Sequence, residues 1–252
     1  MIYITGDTHG DWMTRLKVDS FPEQKEMTKD DYVIICGDFG IWDNSNREKY
    51  NLDWLEDKPF TTLFVSGNHE NYDILDNLEV KEWHGGKVNF VRPSVIHLMR
   101  GQIFQIEGKV FFTFGGASSH DISDGILEPD DPDFKKKKRK LDLLPFALYR
   151  IHHVSWWERE LPSEEEMEEG LANLKKHDNK VDYIITHSPY SSLLGQMFSG
   201  SEAYQKDCLT DYLQKIKETV EYKHFFFGHM HINKTFPWER SSCLYEQIIR
   251  IL

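Results

Sequence analysis

The chain has 252 residues, of which 30 are Lys or Arg and 42 are Asp or Glu, for a formal net charge of −12; 39% are hydrophobic. Such acidity speaks against a protein that coats nucleic acid by neutralising phosphates, so a nucleic-acid partner is not expected. No apolar stretch approaches the ~20 residues of a membrane-crossing helix, so no membrane partner is expected either. Cys36, Cys208 and Cys243 are far apart and form no C-x-x-C pair. A disulfide framework and a structural zinc site are therefore not expected.

In chain order, the first apolar run is Ile2–Thr5. It has no basic leader or small-residue cleavage site, so it reads as a strand and the expected location is the cytoplasm. Tyr32–Cys36 is a second short run rich in β-branched residues, Asn46–Asp57 is helix-like, and Thr62–Val65 is a third strand. Between Lys87 and Ala117 come consecutive short strands, Val95–Leu98, Ile103–Ile106 and Val110–Phe114, separated by Gly-containing turns.

Residues 118–162 break this pattern. An acidic cluster (Glu128, Asp130, Asp131, Asp133) is followed by the basic run Lys135–Lys140 and then by Trp156-Trp157. We expect a single domain over 1–252 with an insertion here. The basic run reads as a solvated, mobile loop and the tryptophans as packing anchors. Whether the segment is a lid over a site or an excursion without a role is open. His120, Arg150, His152 and His153 are expected at the surface or in the core, with contact to a substrate phosphate as the alternative. Beyond the insertion, Ser163–His177 reads as a helix in which Ser163 and Glu166 suit a capping box. Tyr183–Thr186 is a strand, Tyr204–Tyr222 a helix and Phe225–Phe227 a strand. Alternation at both ends with strands in the middle predicts an α/β fold built on a mixed, helix-flanked sheet.

Five of the buried runs end in polar residues of one kind. These are Gly6-Asp7-Thr8-His9, Gly37-Asp38, Gly67-Asn68-His69-Glu70, His187-Ser188-Pro189 and Gly228-His229-Met230-His231. Ligand sites form beyond the carboxyl ends of strands in sheets with helical crossovers, so these distant residues are expected to converge. In an extended segment residues i and i+2 face the same way, which predicts that Asp7 with His9, and His229 with His231, enter one pocket. Asp7, Asp38, Asn68, His9, His187, His229 and His231 form a mixed oxygen and nitrogen set. It suits Mn, Fe, Zn, Ni or Co and is too rich in nitrogen for a cage made only for Mg or Ca. It is large enough for two divalent ions, whose charge would attract phosphate to an acidic protein.

Taken in order, D-x-H-G, G-D, G-N-H-E, a later lone His and G-H-x-H resemble the calcineurin-like metallophosphoesterases, from Asp7 to His231. The resemblance implies an α/β sandwich of two mixed β-sheets flanked by helices. It implies two divalent transition-metal ions, manganese first, with Asp7, His9 and His231 on one, Asn68, His187 and His229 on the other, and Asp38 between them. It also implies in-line attack of a metal-bridging hydroxide on a phosphate mono- or diester, with His69 as the acid that protonates the leaving oxygen. The expected substrate is a phosphorylated small molecule, a nucleotide or a phosphoprotein; the alternative is an inactive binding scaffold of the same fold. The protein-phosphatase branch carries G-D-x-x-D-R-G, where this chain has Gly37-Asp38-Phe39-Gly40-Ile41-Trp42-Asp43. The missing arginine speaks against a dedicated Ser/Thr protein phosphatase. Asp43 is read either as orienting His69 or as a helix N-cap.

Overall fold

Apolar side chains that alternate between two covered faces explain why the strands read as continuous hydrophobic runs. In a computed structural model, which describes residues 1–198 and 205–252, the first is β1 (Ile2–Thr5), followed by α1 (Trp12–Arg15), β2 (Tyr32–Ile35), α2 (Asn46–Glu56), β3 (Thr61–Phe64) and α3 (Tyr72–Leu75). Next come β4 (Val80–Trp83), β5 (Gly86–Arg92), β6 (Val95–Leu98), β7 (Gln102–Ile106), β8 (Lys109–Phe114), β9 (Gly125–Leu127), α4 (Phe134–Asp142) and β10 (Tyr149–Ile151). The rest comprises α5 (Glu164–Lys176), β11 (Tyr183–Thr186), α6 (Ser191–Met197), α7 (Cys208–Thr219), β12 (His224–Phe227), β13 (Lys234–Phe236), β14 (Ser241–Cys243) and β15 (Ile249–Arg250).

One sheet has the order β15-β1-β2-β3-β6-β5-β4 and the other β13-β14-β12-β11-β8-β7. Strands β1, β2, β3 and β6 pair in parallel, as do β14, β12, β11 and β8, while antiparallel strands close both edges of each sheet. Ile2, Ile4, Ile34 and Leu63 of the first sheet meet Phe104, Phe111, Ile185 and Phe226 of the second in a central core. On the outer face of the first sheet, Val33, Ile35 and Phe64 pack with Trp12 of α1 and with Leu52 and Leu55 of α2. On the outer face of the second, Phe112, Phe114, Ile184 and Phe225 pack with Leu174 of α5 and with Leu209, Leu213 and Ile216 of α7. Each large side chain so buried contributes about 1.5–3 kcal/mol. The fold is the α/β sandwich of two mixed sheets with flanking helices that the resemblance implies.

Local expectations fared unevenly. The capping box at the start of α5 is present, with Ser163 and Glu166 each bonded to the other's backbone. The helix expected over Tyr204–Tyr222 runs over Cys208–Thr219, capped by Asp207, and Tyr204 lies outside the described residues. Lys135–Lys140 are not a loop: they form most of α4, with none of its residues buried. Lysine and arginine are good helix formers, and the i,i+4 pair Lys138–Asp142 at 2.8 Å offsets repulsion among them. Before and after α4, β9 and β10 pair in parallel as a separate two-stranded sheet. Of the two tryptophans expected as packing anchors, Trp157 is buried against the outer cluster of the first sheet, while Trp156 is only half-buried and bonds within the segment. Trp157 Nε1 donates to Asp73 at 2.8 Å and Trp156 Nε1 to Glu160 at 2.9 Å.

Candidate metal centre

Asp7 and His9 follow β1, Asp38 follows β2, Asn68 and His69 follow β3, His187 follows β11, and His229 and His231 follow β12. Within each sheet these strands run parallel, so their carboxyl ends lie at one edge, and donor atoms from both sheets meet where the two edges adjoin. Ligand atoms of Asp7, His9, Asp38 and His231 lie within 4.8 Å of one another, and so do those of Asp38, His187 and His229. Asp38 belongs to both groups. Asn68 joins the second through its Oδ1, 3.3 Å from His187 Nε2.

The expected two-residue alternation is not how the pairs converge. His9, Asp38, His229 and His231 lie beyond the strands with φ of 47°, 44°, 64° and 49°. A left-handed backbone at a residue other than glycine costs about 1 kcal/mol or more and persists where the surroundings enforce it. Backbone donors hold part of this arrangement: His229 N–H points at both carboxylate oxygens of Asp7 at 3.0 Å, His9 N–H donates to the Asp38 carbonyl at 2.7 Å, and the backbone N–H of His69 donates to the Asp38 carboxylate at 2.9 Å. Glycines leave room for the acids. A Cβ on Gly228 would lie 2.1 Å from Asp7 Oδ1, and one on Gly67 would lie 2.1 Å from Asp38 Oδ1.

Asp7, Asp38 and His187 are buried, and the cluster organises around their charge. Burial alone would raise Asp38, but the charge and hydrogen bond of His187 hold it well below the ordinary carboxylate range. Burial likewise opposes a charged His187, yet Asp38 and Asp7 together raise it to about 10. Its Nδ1–H donates to the Cys36 carbonyl at 2.8 Å, which aims Nε2 at Asp38, 3.4 Å away. The buried acid pair thus draws a positive charge inward, as a cation site does. On the open side His9 Nε2 and His231 Nε2 stand 2.9 Å apart, and His231 Nε2 is 3.2 Å from Asp7. Nitrogens about 3 Å apart match neighbouring ligands on one ion with bonds of about 2.1 Å. The donor set therefore fits divalent transition metals.

His69 lies beside the cluster, its ring centroid 5.2 Å from that of His9. Burial pushes it down to about 4; Asp38 pulls the other way and the Arg150 charge adds to the lowering. Asp43 neither orients His69 nor caps a helix. Its Oδ1 accepts from Ser45 N at 2.9 Å, and Ser45 caps α2. His152 and His153 pair with Glu128 at 2.8 Å and with Asp73 at 2.9 Å, away from the cluster. His120 packs near His229 with centroids 5.9 Å apart.

Several supporting residues escaped the sequence reading. Glu70, fully buried, accepts from the backbone N–H groups of Gly67, Phe39 and Gly40 and so ties the loops after β2 and β3 together. Burial and the Asp38 charge push its carboxyl up to about 8, against the pull of those donors. Ser119 accepts from Asn68 Nδ2 at 3.3 Å and donates to Glu160 at 2.7 Å. Only the position of Glu70 beside Asn68 and His69 was a sequence signal.

A profile of the calcineurin-like phosphoesterases matches residues 1–233. Over 146 residues the chain is 28% identical to lariat debranching enzyme A of Xenopus laevis, a stretch covering 50% of this chain and 26% of that protein. The match therefore spans about a quarter of the relative's length. Among solved structures, the chain is similar to the phosphopantetheinyl hydrolase PptH from Mycobacterium tuberculosis, with 15% identity, a TM-score of 0.46 and coverage of 97% of this chain and 87% of that one. It is also similar to a putative 5′-nucleotidase from Staphylococcus aureus, with 14% identity, a TM-score of 0.43 and coverage of 97% and 48%. With its family profile matched over nearly the whole length and its motif residues gathered where the two sheet edges adjoin, the chain belongs to the calcineurin-like phosphoesterase family.

Proposed function

We propose that this chain is a phosphoesterase that holds two divalent transition-metal ions, manganese first, and hydrolyses phosphate mono- or diesters. The observation that carries the reading is the membership of Asp38 in both donor groups. Asp7, His9 and His231 would hold one ion, Asn68, His187 and His229 the other, and Asp38 both. When bound, such a pair supplies a nucleophile from water at neutral pH and neutralises charge gathering on the phosphoryl oxygens.

The chain's own residues do the rest. His229 N–H and His69 N–H fix the two carboxylates, so little reorganisation is left for the reaction. His69 delivers a proton to the leaving oxygen. Burial pushes the His69 ring down to about 4, which favours its neutral form, and the negative charge of an arriving phosphate moves it back toward the charged form. The substrate is a phosphorylated small molecule or a nucleotide ester; the lariat debranching relative keeps RNA-type diesters in the test set. Cys36, Cys208 and Cys243 are free, which supports a reducing compartment such as the cytoplasm.

The test is a panel of aryl and alkyl monoesters, nucleotides and diesters against protein loaded with Mn, Fe, Zn, Ni or Co. Turnover of at least one ester that disappears with a chelator and returns with metal is expected. Full metal loading with no turnover of any ester would favour the inactive scaffold.

A further inference from the structure

Arg150 lies on β10, inside the segment read as an insertion, yet its guanidinium reaches His69 beside the donor cluster. It is nine-tenths buried, with 9% exposure. Nε and Nη2 donate to the two carboxylate oxygens of Asp121, both at 2.8 Å, and Nη1 donates to the Ser155 carbonyl at 2.8 Å. Those three bonds use three of the five N–H donors of a guanidinium. The other two, one on each Nη, meet the ring of His69. Nη1 is 3.3 Å from Nδ1 and Nη2 is 3.1 Å from Nε2.

This meeting is mismatched. A neutral imidazole accepts at one nitrogen and carries hydrogen on the other, and a protonated ring accepts at neither. Two donors therefore face one acceptor at most, and at least one N–H of Arg150 is left without a matching lone pair. The guanidinium cannot turn away, because Asp121 grips it in two places and Ser155 in a third. A pair of parallel N–H groups held at a fixed spacing matches two oxygens of one phosphoryl group.

Resting on the phosphoesterase reading, we propose that the Nη1–Nη2 edge of Arg150 is a phosphoryl-oxyanion subsite that binds two non-bridging oxygens of the ester. The His69 ring lies with its centroid 5.2 Å from that of His9 in the donor cluster, so a phosphoryl group lying over the cluster is also beside the ring that Arg150 touches. The arriving oxygens take the donors that His69 cannot satisfy and leave the ring free to serve the leaving group.

The test uses metal-loaded full-length protein, with orthophosphate as the probe in calorimetric titration and an aryl phosphate as substrate. Arg150→Gln should weaken orthophosphate binding about 10- to 100-fold and raise KM by a similar factor. Arg150→Lys keeps a charge for Asp121 but loses the fork, and should also bind orthophosphate at least about tenfold more weakly. Should the first variant fail to fold, the second decides. Orthophosphate affinity unchanged in the folded variants, with turnover alone reduced, would make Arg150 a prop for His69 and overturn the subsite; so would a wild-type protein that does not bind orthophosphate. Orthophosphate binding that needs Arg150 in a protein hydrolysing no ester would uphold the subsite and defeat only the enzymatic reading.

Discussion

Glu160 accepts from Ser119 twice, from its backbone N–H at 2.8 Å and from its hydroxyl at 2.7 Å. With its proton committed to Glu160, the hydroxyl is left to accept from Asn68 Nδ2, which turns Asn68 Oδ1 toward His187. The insertion thus guides a proposed metal ligand directly through Ser119, with Glu160 fixing Ser119 from behind. Ser119→Ala should weaken one of two metal-binding steps about tenfold and, by leaving a buried Glu160 oxygen without its donor, cost about 1–3 kcal/mol of stability. Calorimetric titration of the metal-free protein would show it, and two unaltered steps would mean that Asn68 needs no guide.

Glu160 also makes stability depend on pH. It is 2% exposed, and burial pushes its carboxyl up to about 7 against the pull of Ser119 and Trp156. Below about 4.3, the unfolded value, the proton is bound in both states; between there and about 7 only the folded state holds it. The associated stability is therefore present at low pH and lost as pH rises through about 7. Glu160→Gln cannot ionise, so its urea midpoint should gain on that of the wild type between about pH 5 and pH 8. A difference between the two proteins that does not move with pH would contradict this.

The strands that carry the site were legible because both of their faces are covered, as in Ile2–Thr5 and Tyr32–Ile35, where all residues are buried. Asp7, Asp38 and His229 were legible because each stands just beyond such a run. What escaped depends on distant contacts. Nothing local in Arg150 or Glu160 says that Asp121 or Ser119 will meet it, and both come from a segment whose charge pattern reads as solvent-facing. The basic run was misread for a related reason: its acidic partners Asp131 and Asp142 flank it and convert repulsion into pairing along α4. The left-handed backbone at His9 and His231 is one that histidine adopts more readily than most residues, and at His9 a distant contact holds it, the bond from its N–H to the Asp38 carbonyl at 2.7 Å.

His69 should be separable from metal binding. His69→Asn should keep the full metal content. General acid catalysis is worth about 10²–10⁴-fold, and most of that loss should fall on an alkyl phosphate whose leaving oxygen needs the proton. An activated aryl phosphate should lose much less. Equal losses on both substrates would show that His69 does not protonate the leaving oxygen.

The central claim is that Asp38 holds two ions at once, and the most direct measurement is bound metal per chain together with aryl phosphate turnover in wild type and Asp38→Asn. The wild type should carry two metal equivalents. The variant should keep at most one and lose about 10²-fold or more in turnover, since the amide cannot bridge and its charge is gone. Two equivalents with near-normal turnover in Asp38→Asn would contradict the account.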